Sequence, residues 1–100
     1  MSQKPIKLDF EPLFPLGRLV ATPGAIEAMQ DASDEPGTFL SRHIRGDWGE
    51  VDADDKRAND NAVLDMTRIL SAYRTAKGVK LWIITEADRS STCILLPDEY

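Results

Sequence analysis

A chain of 100 residues, 42% apolar and 29% charged, has the composition of one small folded domain rather than of a disordered segment. Its 17 acidic residues outweigh 12 basic ones for a net charge of −5, which argues against nonspecific nucleic-acid binding and against adhesion to an anionic membrane. Cys93 is the one cysteine and His43 the one histidine, so neither an internal disulfide nor the Cys/His set of a structural zinc site is available.

Residues 1–12 read as an irregular lead-in to a single domain over 13–100. Pro5, Pro12 and Pro15 remove backbone donors and disfavour helix before each of them, while Phe10, Leu13 and Phe14 are apolar enough to pin the segment to a core. Met1 to Phe10 carries charges and no long apolar run, unlike a signal peptide. No stretch approaches a membrane span, and the cytoplasm is the expected compartment.

Leu16 to Ala21 reads as a short strand. Thr22-Pro23-Gly24 then starts a helix, with Thr22 as N-cap and Pro23 at the first helical position, running to about Gln30 with Ile26 and Met29 inward. Asp31 to Gly37 is turn chemistry. A second short helix, Thr38 to Ile44, buries Phe39, Leu40 and Ile44 and stops at Gly46. Asp52 caps a third, whose first turn places Asp54 and Asp55 at the positive end of the dipole. Ala58, Ala62, Val63 and Met66 form its apolar stripe, although Asn59, Asp60 and Asn61 are weak helix formers.

The last third changes regime. Ile69 to Arg74, Val79 to Thr85 and Thr92 to Leu96 are rich in β-branched and aromatic residues and are joined by short polar links. The whole predicts an α+β fold: a short N-terminal strand, three helices, then a three-stranded antiparallel meander packed against the helices. Leu81 to Ile84 is continuously apolar, so the middle strand is expected to be covered on both faces, one by helices and the other by the N-terminal segment or a partner.

The stretches LFPLGRLVATPGAIEAM (13–29), FLSRHIRGDWGEVDADDK (39–56) and LWIITEADRSSTCILLPDEY (81–100) resemble a family of short uncharacterised bacterial proteins carried on plasmids, prophages and integrative elements. Its members are labelled "plasmid-related protein" or "type I restriction endonuclease subunit M". The resemblance implies a mobile-element setting and supplies no catalytic residues. The methyltransferase label fails on chemistry: the chain has no Gly-rich cofactor loop and no Asn/Asp-Pro-Pro-aromatic motif to hold a flipped base.

Two clusters remain as a candidate binding surface. In one, His43 is a general base oriented by Asp47, with Trp48 a platform for a planar ligand; alternatively, the segment is a helix end closed by Gly46, with Trp48 capping the core. In the other, Glu86, Asp88 and Arg89 follow the most buried strand as a partner-facing group or as a salt-bridged turn. Glu50, Asp52, Asp54 and Asp55 lack the pattern of a calcium loop and read as helix capping. Tyr73 and Trp82 read as sheet packing, and Cys93 as an inert core thiol.

No residue is assigned as catalytic, and no cofactor or metal is expected. The reading favoured is a small non-catalytic binding or regulatory protein of a mobile element, acting on a protein partner such as a host defence or restriction complex. A homodimer is left open. The alternatives are a small-ligand or nucleotide binder, and a hydrolase or nuclease using His43 with Asp47 or Glu86.

Overall fold

The computed structural model describes residues 12–100; the lead-in expected over residues 1–12, Phe10 included, falls outside them except for Pro12. The described chain runs β1 (Arg18–Ala21), α1 (Pro23–Asp31), α2 (Pro36–Ile44), α3 (Ala53–Asp65), β2 (Ile69–Arg74), β3 (Lys80–Thr85) and β4 (Ser91–Leu95), then a single 3-10 turn, Pro97–Glu99. It is an α+β fold with three helices and one mixed sheet in the order β1-β4-β3-β2.

The helix starts follow the local chemistry. The Thr22 hydroxyl accepts from the Ala25 N–H at 3.3 Å, and Asp52 accepts from the Asp55 N–H at 2.8 Å. α2 ends in a Schellman motif: Gly46 adopts φ 85° and donates to the His43 carbonyl, and the Asp47 N–H reaches the Arg42 carbonyl. α2 starts two residues before its expected position because Pro36 itself occupies the first turn.

The antiparallel meander forms as expected: β2 pairs with β3 and β3 with β4, with Ile83 beside Ser71 and Ile94. The expected three-stranded sheet gains a fourth strand, because β1 joins β4 in parallel, Leu19 beside Thr92 and Ala21 beside Ile94. The β1-to-β4 pairing spans the helices, so no local signal announces it.

Alternation along the strands divides the sheet into two faces. The inner face carries Ile69, Ser71 and Tyr73, then Leu81, Ile83 and Thr85, then Thr92 and Ile94. Ala25, Met29 and Phe39 pack on its centre against Tyr73, Leu81, Ile83 and Ile94. Ala62, Trp48 and Phe14 close its other end over Ile69. Each fully buried aliphatic there contributes about 1.5–3 kcal/mol of burial free energy.

The outer face carries Val20, Cys93, Ile84 and Leu70 in one row and Leu95, Trp82 and Ala72 in the next. Val20, Leu70, Trp82 and Cys93 all keep partial exposure. Double coverage of the middle strand, expected from the Leu81 to Ile84 run, is therefore met only in part: the described residues add Tyr100, edge-on to Trp82 at 5.9 Å, with Arg68 over the Tyr100 ring. Cys93 is half-buried on this face, not in the core. Burial raises the pKa of its thiol first, with Glu99 and Glu86 adding to the effect.

The free edge of β2 is closed by two devices. The Asn59 amide donates to the Leu70 carbonyl at 2.8 Å and accepts from the Leu70 N–H at 3.1 Å, standing in for a strand residue. The Trp48 carbonyl and Glu50 N–H bond both backbone groups of Ala72. Between them only glycine fits, because a Cβ on Gly49 would lie 2.0 Å from the Ala72 carbonyl oxygen. The inward stripe of α3 is thus Asn59 and Ala62, with Val63 partly covered. Ala58 and Met66, expected there, are exposed, as is Ile26 of α1.

Asn59→Ala leaves both groups of Leu70 without their partner and is expected to destabilise the fold by about 2–3 kcal/mol, measured by urea unfolding. A change below about 0.5 kcal/mol would show that water replaces the amide at this edge.

Candidate functional site

The structure brings three of the six candidate residues together, and it does so inside the protein. His43, Trp48 and Arg89 are buried. They surround the Phe14 ring: His43 edge-on at 5.2 Å, Trp48 stacked at 6.3 Å, and the Arg89 guanidinium 5.5 Å from the centroid. Asp47, Glu86 and Asp88 remain outside. The six therefore do not form one surface.

His43 sits in the last turn of α2, aimed at the inner face of the sheet. Its Nδ1 lies 2.6 Å from the Ser71 hydroxyl and its Nε2 2.9 Å from the Thr85 hydroxyl. Thr85 in turn lies 2.7 Å from Thr92, whose hydroxyl donates to the Leu16 carbonyl at 2.7 Å. That last bond fixes the protons along the chain. Thr92 spends its hydrogen on Leu16, so Thr85 donates to Thr92 and accepts from His43 Nε2–H. Nδ1 is then the acceptor for Ser71.

The ring is a neutral imidazole. Burial, aided by the Arg89 charge, lowers its pKa from 6.5 to about 4. His43 therefore does not serve as a cation at the helix C-terminus. A Ser hydroxyl on a His nitrogen has the outline of a nucleophile and base, but Ser71, His43, Thr85 and Thr92 are each 0% exposed. No substrate reaches them.

The expected pairing of His43 with Asp47 is not formed. Both His43 nitrogens are occupied, and Asp47 instead takes a forked bond from Arg42, at 2.7 and 3.2 Å. The hydrogen bond from Arg42 holds the Asp47 carboxyl below its usual range. Arg42 also lies over the Tyr73 ring at 4.5 Å. The Tyr73 hydroxyl donates to the Asp47 carbonyl at 2.6 Å, and burial pushes its pKa up to about 12.

Trp48 donates from Nε1 to Asp60 at 2.9 Å, which ties the segment after α2 to α3. It is a core residue, not a ligand platform.

Arg89 is the largest departure from expectation. It adopts φ 61° in the β3–β4 turn and folds inward. Its guanidinium donates to the carbonyls of Ala62 at 2.8 Å, Thr67 at 2.7 Å and Glu86 at 3.1 Å. Ala62 and Thr67 flank the left-handed C-cap of α3, Met66. α3 has acids in its first turn and no base in its last, so Arg89 supplies from the β3–β4 turn the cation that the negative end of the dipole favours. Its Nε is the one buried side-chain polar atom without a partner among the described residues.

Glu86 and Asp88 stay on the turn surface. Asp88 accepts from the Ser90 N–H at 2.9 Å, and its hydrogen bonds to Ser90 hold the carboxyl low.

Nor does a cavity gather the candidates. The larger grooves, about 520 and 530 Å³, flank α1 and include none of the six. The depression at Asp47 and Trp48 measures about 290 Å³. Among the described residues no cluster of three or more His, Cys, Asp or Glu could hold a metal, and no helix is long and apolar enough to cross a membrane. No family model, curated protein or solved structure matches the chain.

Two outcomes follow from the buried network. Because the folded pKa of His43 lies below its unfolded value, unfolding takes up a proton between pH 6.5 and about 4. Stability is full above pH 6.5 and falls as the pH drops toward 4, by up to about 3 kcal/mol. Urea midpoints measured across this range check it, and a flat profile between pH 5 and 6.5 contradicts it. Arg89→Met removes the cation that depresses His43. The single-histidine NMR titration midpoint is expected to move up from about 4, with α3 losing amide protection at its C-terminal turn.

Proposed function

We propose that this protein is a non-catalytic binding or regulatory module whose contact surface is the outer face of the sheet. The observation that supports this reading is the division of labour between the two faces. The hydroxyl and imidazole groups are consumed in bonds on the inner face. Apolar and aromatic side chains stay accessible on the outer one: Val20 is 39% exposed and Tyr100 66%, with Leu70, Trp82 and Cys93 half-buried between them.

Charge supports it as well. Register places Arg18 and Lys80 on this face with the Arg68 side chain, and Arg74 there is paired with Glu50 at 3.0 Å, while Glu86 and Glu99 act electrostatically on Cys93. A small apolar patch with aromatic anchors and a charged rim that carries Arg18 and Lys80 suits a protein partner with acidic groups opposite those two. The resemblance to proteins of plasmids, prophages and integrative elements makes a host defence or restriction complex the partner proposed, in the cytoplasm.

The test is a tagged pull-down from the native host with wild type, Trp82→Asp and Lys80→Glu, folding being checked by circular dichroism. The reading expects one stoichiometric protein with wild type, lost by at least tenfold in Trp82→Asp and weakened in Lys80→Glu. Equal recovery by all three would overturn it.

A further inference from the structure

The other edge of the sheet is β1, and none of the closing devices of β2 is present there among the described residues. Arg18 N–H bonds the Ser90 carbonyl and Thr22 N–H bonds the Ile94 carbonyl. In a parallel ladder this alternation turns Arg18, Val20 and Thr22 toward β4 and leaves the N–H and C=O of Leu19 and Ala21 pointing outward. An outward edge of this kind is a template for another strand. It is also apolar: Leu19 is 53% exposed and Val20 39%.

We propose that a second copy of this chain occupies this edge, β1 pairing antiparallel with the other β1 to give one continuous eight-stranded sheet. Hydrogen-bond parity limits the register to pairings among Leu19 and Ala21, and of these only Leu19 opposite Ala21 engages all four, two from each strand. Leu19 of each copy faces Ala21 of the other, exchanging both bonds, and the two Val20 side chains meet at the two-fold axis as a non-hydrogen-bonded pair.

Two features of the surface complement each other in that register. On the inner side, the Leu19 side chain of one copy lies beside Ala21 of the other. Ala21 borders the groove of about 520 Å³ that Ile26 and Met29 also line, and Ile26 is itself 42% exposed. On the outer side, Arg18 of one copy comes opposite Thr22 of the other. The Thr22 hydroxyl donates to Glu99 Oε1 at 2.5 Å, and the same carboxylate accepts from the Leu96 and Gly24 N–H groups. The one charged residue of β1 thus meets a carboxylate already fixed in place, twice per dimer. This interface takes Arg18 and Val20 from the margin of the outer face and leaves Leu70, Trp82, Cys93 and Tyr100 open there, so the Trp82→Asp test of the outer-face reading and the Leu19→Pro test of the edge can fail separately.

Sedimentation equilibrium of the full chain from micromolar to millimolar concentration tests the proposal. A species of twice the 11.1 kDa chain mass is expected. Leu19→Pro removes only an outward N–H, so the monomer keeps its ladder to β4 while the dimer is lost. A monomer throughout the range, or a dimer indifferent to Leu19→Pro, would overturn the assignment. Should Leu19→Pro fail to fold, Val20→Cys in a Cys93→Ser background decides the matter. The non-hydrogen-bonded pair brings the two Cα atoms to about 4.5 Å, within disulfide reach. Rapid intermolecular cross-linking under mild oxidation supports the register, and a persistent free thiol refutes it.

Discussion

The structure depends on one buried run of hydrogen bonds, from Ser71 through His43 and Thr85 to Thr92 and the Leu16 carbonyl. It joins α2 to three segments that have no local connection with it: β2, the β3–β4 hairpin and the stretch leading into β1. Left unsatisfied, each of these polar groups would cost about 1–3 kcal/mol in the interior. Satisfied in sequence, they specify a single arrangement of helix on sheet, because moving any one member strands the next. Neutral imidazole is the species that fits, with one donor and one acceptor in the right places.

Arg89 is the counterpart of this network on the α3 side. A buried guanidinium bound to carbonyls, with no carboxylate beside it in those bonds, is tolerated because the carbonyls belong largely to a helix C-terminus and carry partial negative charge. Its field then adds to burial in disfavouring a proton on His43, which stays neutral. The same arrangement removes both residues from solvent. Chemistry that looks reactive as a set of side chains is committed to holding the molecule together, and the accessible features are left to the outer face and the β1 edge.

Much of this was legible locally. Thr22-Pro23, Asp52 and Gly46 mark helix ends by mechanisms confined to a few residues, and the three C-terminal strands announce themselves by composition. What escaped the sequence was decided at long range. β1 has four residues and three of them are exposed, so nothing in it says that it pairs in parallel with a strand some seventy positions later. Arg89 follows Glu86 and Asp88 in a polar turn, and a charged residue there belongs on the surface unless distant carbonyls are waiting for it. Asn59 and Asp60 did carry a signal: both are poor in a helix interior, and both have tertiary partners, Leu70 and the Trp48 indole.

His43 is a structural, neutral ring with its proton on Nε2. Nitrogen-15 NMR of the imidazole near pH 6 reads this directly, since a protonated and an unprotonated ring nitrogen resonate far apart. A pyrrole-type Nε2 and a pyridine-type Nδ1 are expected. Two equivalent protonated nitrogens, or the proton found on Nδ1, would contradict this protonation state and reopen the Ser71–His43 pair as a chemical site.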